Sequence, residues 1–456
     1  MLCHIKYIPC YLNNIKKVIK IQETIETDVL VVGGGLSGVF AAIGAKRVNP
    51  QLRIWLVEKE GYCGGMATSG FVFPFMRYYI ASEKSSEFKR LTAGLFKEML
   101  DRLAKIGFVK KSFLNPTCPQ KFDSYMIRCV LDEMLLEFGI NILFHSIGCS
   151  VETVNLNPHE KSVSSVIIDT KKGLINFKPK YIIDATGDGD ICYHAGAEFA
   201  YGRESDGLTQ PATLNFRIGN ISIFSSSRKQ ITKEIQKAKQ KGLELTPRND
   251  CLMFDTNNPK EKHFNQTRVA GFDFTDPFSL SKAEIEGRKQ AKNFILFLKS
   301  KIRGFKHSSI AGMGNVLGVR ESRRIIGEYV LTKEDLENGT LFDDRIALGN
   351  YPIDIHDPKG SASTELKHFG KTHFYSIPLR SMIVKGFSNL LVTGRAISAT
   401  HEALSAIRIM PICAQMGESC GIFVGIVSAQ KAKISIKEID ITLIQQKIKE
   451  FGGIID

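Results

Sequence analysis

The chain has 456 residues, 43% hydrophobic and 24% charged, with a net charge of +14 at pH 7. That length and apolar content suit a two-domain globular protein and exclude a disordered or fibrous chain. Ten cysteines occur with no CxxC pair and no CxxCxxC cluster; this pattern points to reduced thiols, excludes a ferredoxin-type iron–sulfur centre and leaves no metal site to expect.

Residues 1–24 carry Lys6, Lys16, Lys17 and Lys20 among Ile, Tyr and Cys. No uninterrupted apolar core and small-residue cleavage site follow, so a plain N-terminal tail and a cytoplasmic location are expected. No stretch is read as reaching the roughly 20 apolar residues that span a bilayer. Most lysines fall in solvated helical stretches such as Arg228–Lys241, and no basic run is interleaved with aromatics, so nucleic acid is not an expected partner.

Val29–Val32 is a short β-branched run that suits a buried parallel strand, and it leads directly into Gly33-x-Gly35-x-x-Gly38. Gly33 permits the tight turn, Gly35 lets a pyrophosphate approach the backbone, and Gly38 lets the next helix, about Leu36–Val48 and including Ser37, pack on the strand. Asn49-Pro50 stops that helix. Arg53–Val57 reads as a second strand, and Glu58 at its end suits the hydroxyls of an adenosine ribose while disfavouring a 2′-phosphate.

Glu58-Lys59 runs almost at once into Gly64-Gly65-Met66-Ala67-Thr68. An NAD site has no need of that paired glycine; an extended FAD does, because its ribityl chain passes close over backbone. Two later apolar runs also end in glycine turns, Tyr181–Asp184 into Ala185-Thr186-Gly187-Asp188, and Leu390–Val392 into Thr393-Gly394-Arg395. Three strand-to-glycine junctions returning to one site favour FAD over NAD.

Apolar residues at helical spacing predict helices over Ser86–Ile106 and Ser124–Phe138, the second closed by Gly139. Ile140–Phe144 and Ser150–Val154 are expected strands, with the Val151 backbone at the adenine edge. Val163–Asp169 and Leu174–Lys178 form an expected hairpin. The predicted organisation is a tail (1–24), a discontinuous dinucleotide domain (25–80, 120–200 and 385–456), a helical segment (81–119) and an inserted domain (201–384) holding a strand over Ala212–Ile218. Gly312-x-Gly314-x-x-x-Gly318 lacks a preceding strand and a following acidic residue, and is not read as a second nucleotide site.

Gly33–Gly38, Glu58, Gly64–Thr68, Ala185–Asp188, Gly318–Tyr329 and Thr393–Glu402 together resemble the bacterial FAD-dependent oxidoreductase family, related to fumarate reductase flavoprotein subunits and, more distantly, to glutathione reductase. The likeness covers most of 27–215 and 311–425. It implies an α/β fold, with a Rossmann-like FAD-binding domain of glutathione-reductase type and an inserted α+β substrate or capping domain. Fumarate reductases place a His and then an Arg after the glycine equivalent to Gly394, which implies His401 as proton-transfer group and Arg408 as anchor, although Arg408 comes about two residues later than that pattern. The rival role for Arg408 is a salt bridge to Glu402. Ile409 and Pro411 open the helix implied to run beneath the flavin ring. Arg323 is the further anchor, taken from Arg320-Glu321-Ser322-Arg323-Arg324, where strand alternation would put Arg320, Ser322 and Arg324 on one face. The expected activity is hydride transfer between flavin N5 and a small polar, potentially anionic substrate, with an unidentified electron donor or acceptor; the alternative is an electron-transfer subunit with no substrate of its own.

Overall fold

The computed structural model describes residues 21–81, 88–109, 120–360, 364–429 and 440–456. Most of the expected tail lies outside them. Strand β1 (Ile21–Val32) nevertheless takes up residues 21–24, because Ile21, Glu23 and Thr24 pair with Leu174–Asn176 of a later strand. Helix α1 (Leu36–Val48) and strand β2 (Ile54–Val57) follow as expected.

Helix α2 (Gly94–Lys105) starts at Gly94 rather than Ser86. Phe88–Arg90 is instead extended and pairs with Tyr79–Ala81, and Gly94 at φ +56° turns the chain into the helix. Helix α3 (Ser124–Glu137) is capped by Asp123, whose carboxylate accepts the Tyr125 and Met126 amides. Strands β3 (Asn141–Leu143), β4 (Ile147–Asn157), β5 (Glu160–Thr170) and β6 (Gly173–Asp184) complete the first half.

The middle of the chain builds a second sheet from β7 (Phe216–Gly219), β8 (Met253–Asp255), β9 (Lys262–Phe264) and β10 (Ser309–Met313), antiparallel in the order β8-β9-β7-β10. Ala212 and Thr213 of the expected longer strand make only single bridges, to Val269 and Gly318. Helices α4 (Arg228–Gln240) and α5 (Pro277–Lys301) share this sheet's core, where Phe216, Phe264, Phe294 and Phe305 meet.

The chain then returns through β11 (Leu390–Val392), α6 (His401–Ile407) and α7 (Met410–Ala429). The main sheet runs β3-β2-β1-β6-β5-β4, with β11 also on β6. β6 is one strand, where the pattern suggested a hairpin arm and a separate return. One edge pairs in parallel with β1 throughout; the other takes β5 antiparallel at its start and β11 in parallel at its end. Between those two partners the Asn389 side chain accepts the Val163 amide and donates to the Val163 and Lys180 carbonyls.

α7 is 20 residues long and apolar enough to cross a membrane, contrary to the expectation that no stretch reaches that length, but it is mostly buried inside the protein. Its covering is α1. A Cβ added at Gly417 would lie 2.1 Å from the Ser37 carbonyl oxygen, one at Gly421 2.0 Å from that of Ala41, and one at Gly425 2.8 Å from that of Ala45. Glycine every fourth residue thus lets the two backbones touch along an i±4 ridge. We expect Gly421→Ala to destabilise the protein by about 1–3 kcal/mol in chemical denaturation, because the added methyl has no space to enter.

The same helix carries Glu418, fully buried, which accepts the Leu95 amide at the start of α2 and faces Arg47 at 3.6 Å. Burial pushes its carboxyl up to about 7, against the pull of that amide and of Arg47. A carboxyl raised in the folded state binds more protons than the unfolded chain once pH exceeds about 4.3, so stability falls as pH climbs toward 7. Glu418→Gln removes this loss, and its melting temperature should exceed the parent's by a few degrees at alkaline pH and by little in mild acid.

Candidate active site

The C-terminal ends of β1, β6 and β11 meet. The Gly33 amide donates to the Val57 carbonyl at 2.7 Å, the Ala185 amide to that of Val32 at 2.8 Å, and the Thr393 amide to that of Asp184 at 2.9 Å. Gly33 and Gly38 are required by this packing: added Cβ atoms would lie 2.3 Å from the Ala185 oxygen and 1.9 Å from the Gly33 oxygen. Gly35 is different, since a Cβ there meets nothing closer than the Gly65 Cα at 4.0 Å. The fold therefore leaves room for a Cβ at Gly35, and a glycine there suits a group that lies directly against the backbone. Gly35 is also the N-cap of α1 and supplies no side-chain cap, so the first amides of the helix and the positive end of its dipole are left to suit an anion. These residues fit a pyrophosphate.

The rest of the cradle closes around them. Gly64 and Gly65, at φ +113° and +52°, turn the chain into the short helix Gly65–Ala67, which includes Met66. Ser37 and Thr393 hydroxyls are 2.8 Å apart, and Gly394 packs over Ser37. The Arg395 guanidinium binds the Gly187 carbonyl at 2.8 Å and the Asp188 carboxylate, while the Thr186 hydroxyl donates to Asp184 at 2.7 Å. Glu58 accepts the Gly34 and Glu60 amides; burial raises its carboxyl and these amides pull it back. Lys59 is exposed and Ile409 is buried just before α7. Val151 lies along β4, paired with Val166. The chain beside Glu58 is His145–Ser146, whose amides donate to Glu60 and Glu58 carbonyls, and a Cβ at Gly148 would lie 3.6 Å from the Val32 side chain. β4 starts at Ile147 instead of Ser150, so Val151 lies within the strand rather than next to its start.

A second constellation is polar and buried. His401, 4% exposed, donates from Nδ1 to the Glu321 carboxylate at 2.8 Å. Glu321 also accepts the Arg324 guanidinium and, at 2.9 Å, the Gln210 amide. This carboxylate orients the ring and leaves Nε2 to act on a proton, the arrangement of a positioned general base. Among the described residues Nε2 has no hydrogen-bond partner. The Gln210 side-chain oxygen accepts Arg408 Nη2 at 3.3 Å, and its Nε2, like Arg408 Nε, is buried without a partner among the described residues. Glu321 and Gln210 therefore link His401 to Arg408.

Arg320 is close to this group. It donates to the Pro211 carbonyl at 2.6 Å and the Thr213 hydroxyl at 2.8 Å, all uncharged partners. Burial and the charge of Arg408 push it down to about 9, which leaves it charged at neutral pH. Among the described residues neither Arg320 nor Arg408 forms an ion pair within 4 Å; the Asp354 carboxylate acts on Arg320 from farther away, and Arg408 is half-buried. His356, whose Nδ1 accepts from Arg268 at 3.1 Å, is held neutral by burial and by the arginines around it.

Arg323, the other expected anchor, is not part of this network. It pairs with Asp190 at 2.8 Å, donates to the Asp188 carbonyl and stacks on Tyr193 at 4.1 Å. Strand alternation misled here because only Arg323–Ile325 is extended; Glu321 pairs with Arg324, three residues on. Arg408 makes no salt bridge to Glu402 and instead contacts Gln210 and the Asp354 carbonyl. Gln210 belongs to no motif, and no sequence signal singled it out.

A parallel sheet whose strand ends return to one phosphate cradle, beside an enclosed network of base and cations, defines a dinucleotide-dependent redox enzyme. The chain belongs to the FAD dependent oxidoreductase family, whose model matches residues 28–448, and its cofactor is FAD. No curated protein matches it. Among solved structures it is similar to a geranylgeranyl bacteriochlorophyll reductase-like protein from Thermoplasma acidophilum (13% identity, 94% of this chain and 83% of that one, TM-score 0.43). It is also similar to p-nitrophenol 4-monooxygenase from Pseudomonas putida DLL-E4 (11% identity, 93% and 84%, TM-score 0.45). Likenesses this weak say nothing about substrate. Gly35→Ala should give a protein with unchanged far-ultraviolet circular dichroism and strongly reduced bound flavin absorbance, because the fold has space for a Cβ there and the added methyl would stand where the pyrophosphate approaches the backbone.

Proposed function

We propose that the protein transfers hydride between flavin N5 and a small hydroxylated carboxylate. The observation that carries this reading is the buried Arg320 and the half-buried Arg408, neither in an ion pair among the described residues, next to unpartnered nitrogens on His401, Gln210 and Arg408. FAD, when bound, supplies or accepts the hydride. The chain's own residues bind and orient the substrate: Arg408 and Arg320 hold its carboxylate, Gln210 Nε2 donates to it, and Arg320 takes the anchoring role expected of Arg323. His401 Nε2 accepts the hydroxyl proton as the C–H hydride leaves and the carbonyl forms; reduction is the reverse. In this reading the FAD domain is of glutathione-reductase type, the second sheet with α4 and α5 caps the site, and the Ile147–Gly148 backbone meets the adenine.

Anaerobic addition of pooled hydroxy acids, polyols and amino acids tests it directly. Hydroxy acids should bleach the flavin band, and bleaching by polyols alone would remove the anionic assignment. With the active pool, His401→Asn should lower kcat by about 10²–10⁴-fold with little change in KM. Arg408→Ala should raise KM by about 10–100-fold, the loss of one charge-assisted contact.

A further inference from the structure

We propose that the loop after β7, Asn220–Ser227, docks the protein on an anionic phospholipid surface. The loop leaves the second sheet at Asn220, in the left-handed region at φ +55°, and is tied down along its length. The Ile221 amide donates to the Lys260 carbonyl at 3.0 Å, that of Ser222 to Gly304 at 3.0 Å and that of Ser226 to Arg303 at 3.1 Å, while the Asn220 side chain donates to the His307 carbonyl at 2.9 Å. The tip that this framework presents is apolar: Ile223 is 65% exposed and Phe224 71%. Single exposed apolar side chains are ordinary, but two neighbours on a pinned loop are not explained by folding.

The surroundings name the partner. An open cleft of about 540 Å³ beside the tip is lined by Asn220–Phe224, Lys260, Gly304, Lys306 and His307, with no carboxylate among them. Arg303 is exposed next to it, and among the described residues Lys260, Arg303 and Lys306 form no ion pair. An aliphatic and an aromatic side chain ringed by unpaired cations match the boundary between acyl chains and anionic headgroups, where apolar insertion and electrostatic attraction act together. A nucleic acid would leave Ile223 with nothing to stack on. A second copy would bring like charges together. α7 is mostly buried inside the protein and is not the element that would meet the lipid. This inference does not depend on the substrate reading.

The test is co-sedimentation of the FAD-loaded protein with vesicles of phosphatidylcholine alone or mixed with phosphatidylglycerol, at low and high salt. We expect pelleting with the mixed vesicles only, weakened by salt. Ile223→Ser/Phe224→Ser and, separately, Lys260→Glu/Lys306→Glu should each reduce the bound fraction by about fivefold or more, with the flavin spectrum and circular dichroism unchanged. No pelleting, equal pelleting with neutral vesicles, or full binding by the Ile223/Phe224 variant would overturn the proposal. So would a dimer that this variant converts to monomer, or a single-stranded oligonucleotide bound as tightly by both forms, since the face would then serve another partner.

Discussion

The contact between α1 and α7 is the constraint on which the site depends. α1 presents the phosphate end of the cradle, and α7 begins directly after Arg408 and Ile409. Their separation is set by backbone meeting backbone at Ser37, Ala41 and Ala45, so little slack remains between the nucleotide and the polar network. Segments more than 350 residues apart in sequence are thereby held together, as the Ser37–Thr393 hydroxyl contact shows. α7 also receives α2 through Glu418, a buried carboxyl tolerated because it accepts an amide of a helix start and faces Arg47. The apolarity that would let α7 enter a bilayer serves a close-packed interior.

Electrostatics organise the second constellation around one carboxylate. Glu321 has no solvent exposure and collects His401, Arg324 and the Gln210 amide. Arg324 spends its remaining donors on the Ala399 and Gly202 carbonyls, which makes it a strut. Arg320 and Arg408 form no ion pair among the described residues, and the proposed substrate carboxylate would supply one. The neighbouring arginines shape His356 in the opposite sense, since a neutral imidazole with an accepting Nδ1 suits a cationic enclosure.

Much of the nucleotide cradle was legible because its chemistry is local. Gly33 at φ +106° and Gly38 against the Gly33 carbonyl answer to local demands, and strand, turn and helix sit next to each other in the chain. His401 and Arg408 were legible as residues, and the structure does link them, through Gln210, which nothing in the sequence marked. Strand alternation would set Arg324 on the face opposite Glu321, yet the two pair, because only Arg323–Ile325 of that run is extended. The start of β4 at Ile147 rather than Ser150 was not legible, because it is set by pairing with β5, which local pattern does not report.

The glycine-rich turn after β1, the acidic end of β2 and the positions of the glycine junctions can be read from the chain, because each is marked by residue types next to one another, although the junctions meet only in the fold. Only the tertiary structure decided which arginine lacks a counter-charge, which helix a membrane-like segment packs against, and that β6 is one strand serving three partners. Those outcomes depend on burial and on pairing between distant segments. The cost of a charge and the partner of a strand edge are set by what lies across the fold, and the linear chain does not carry that information in any one place.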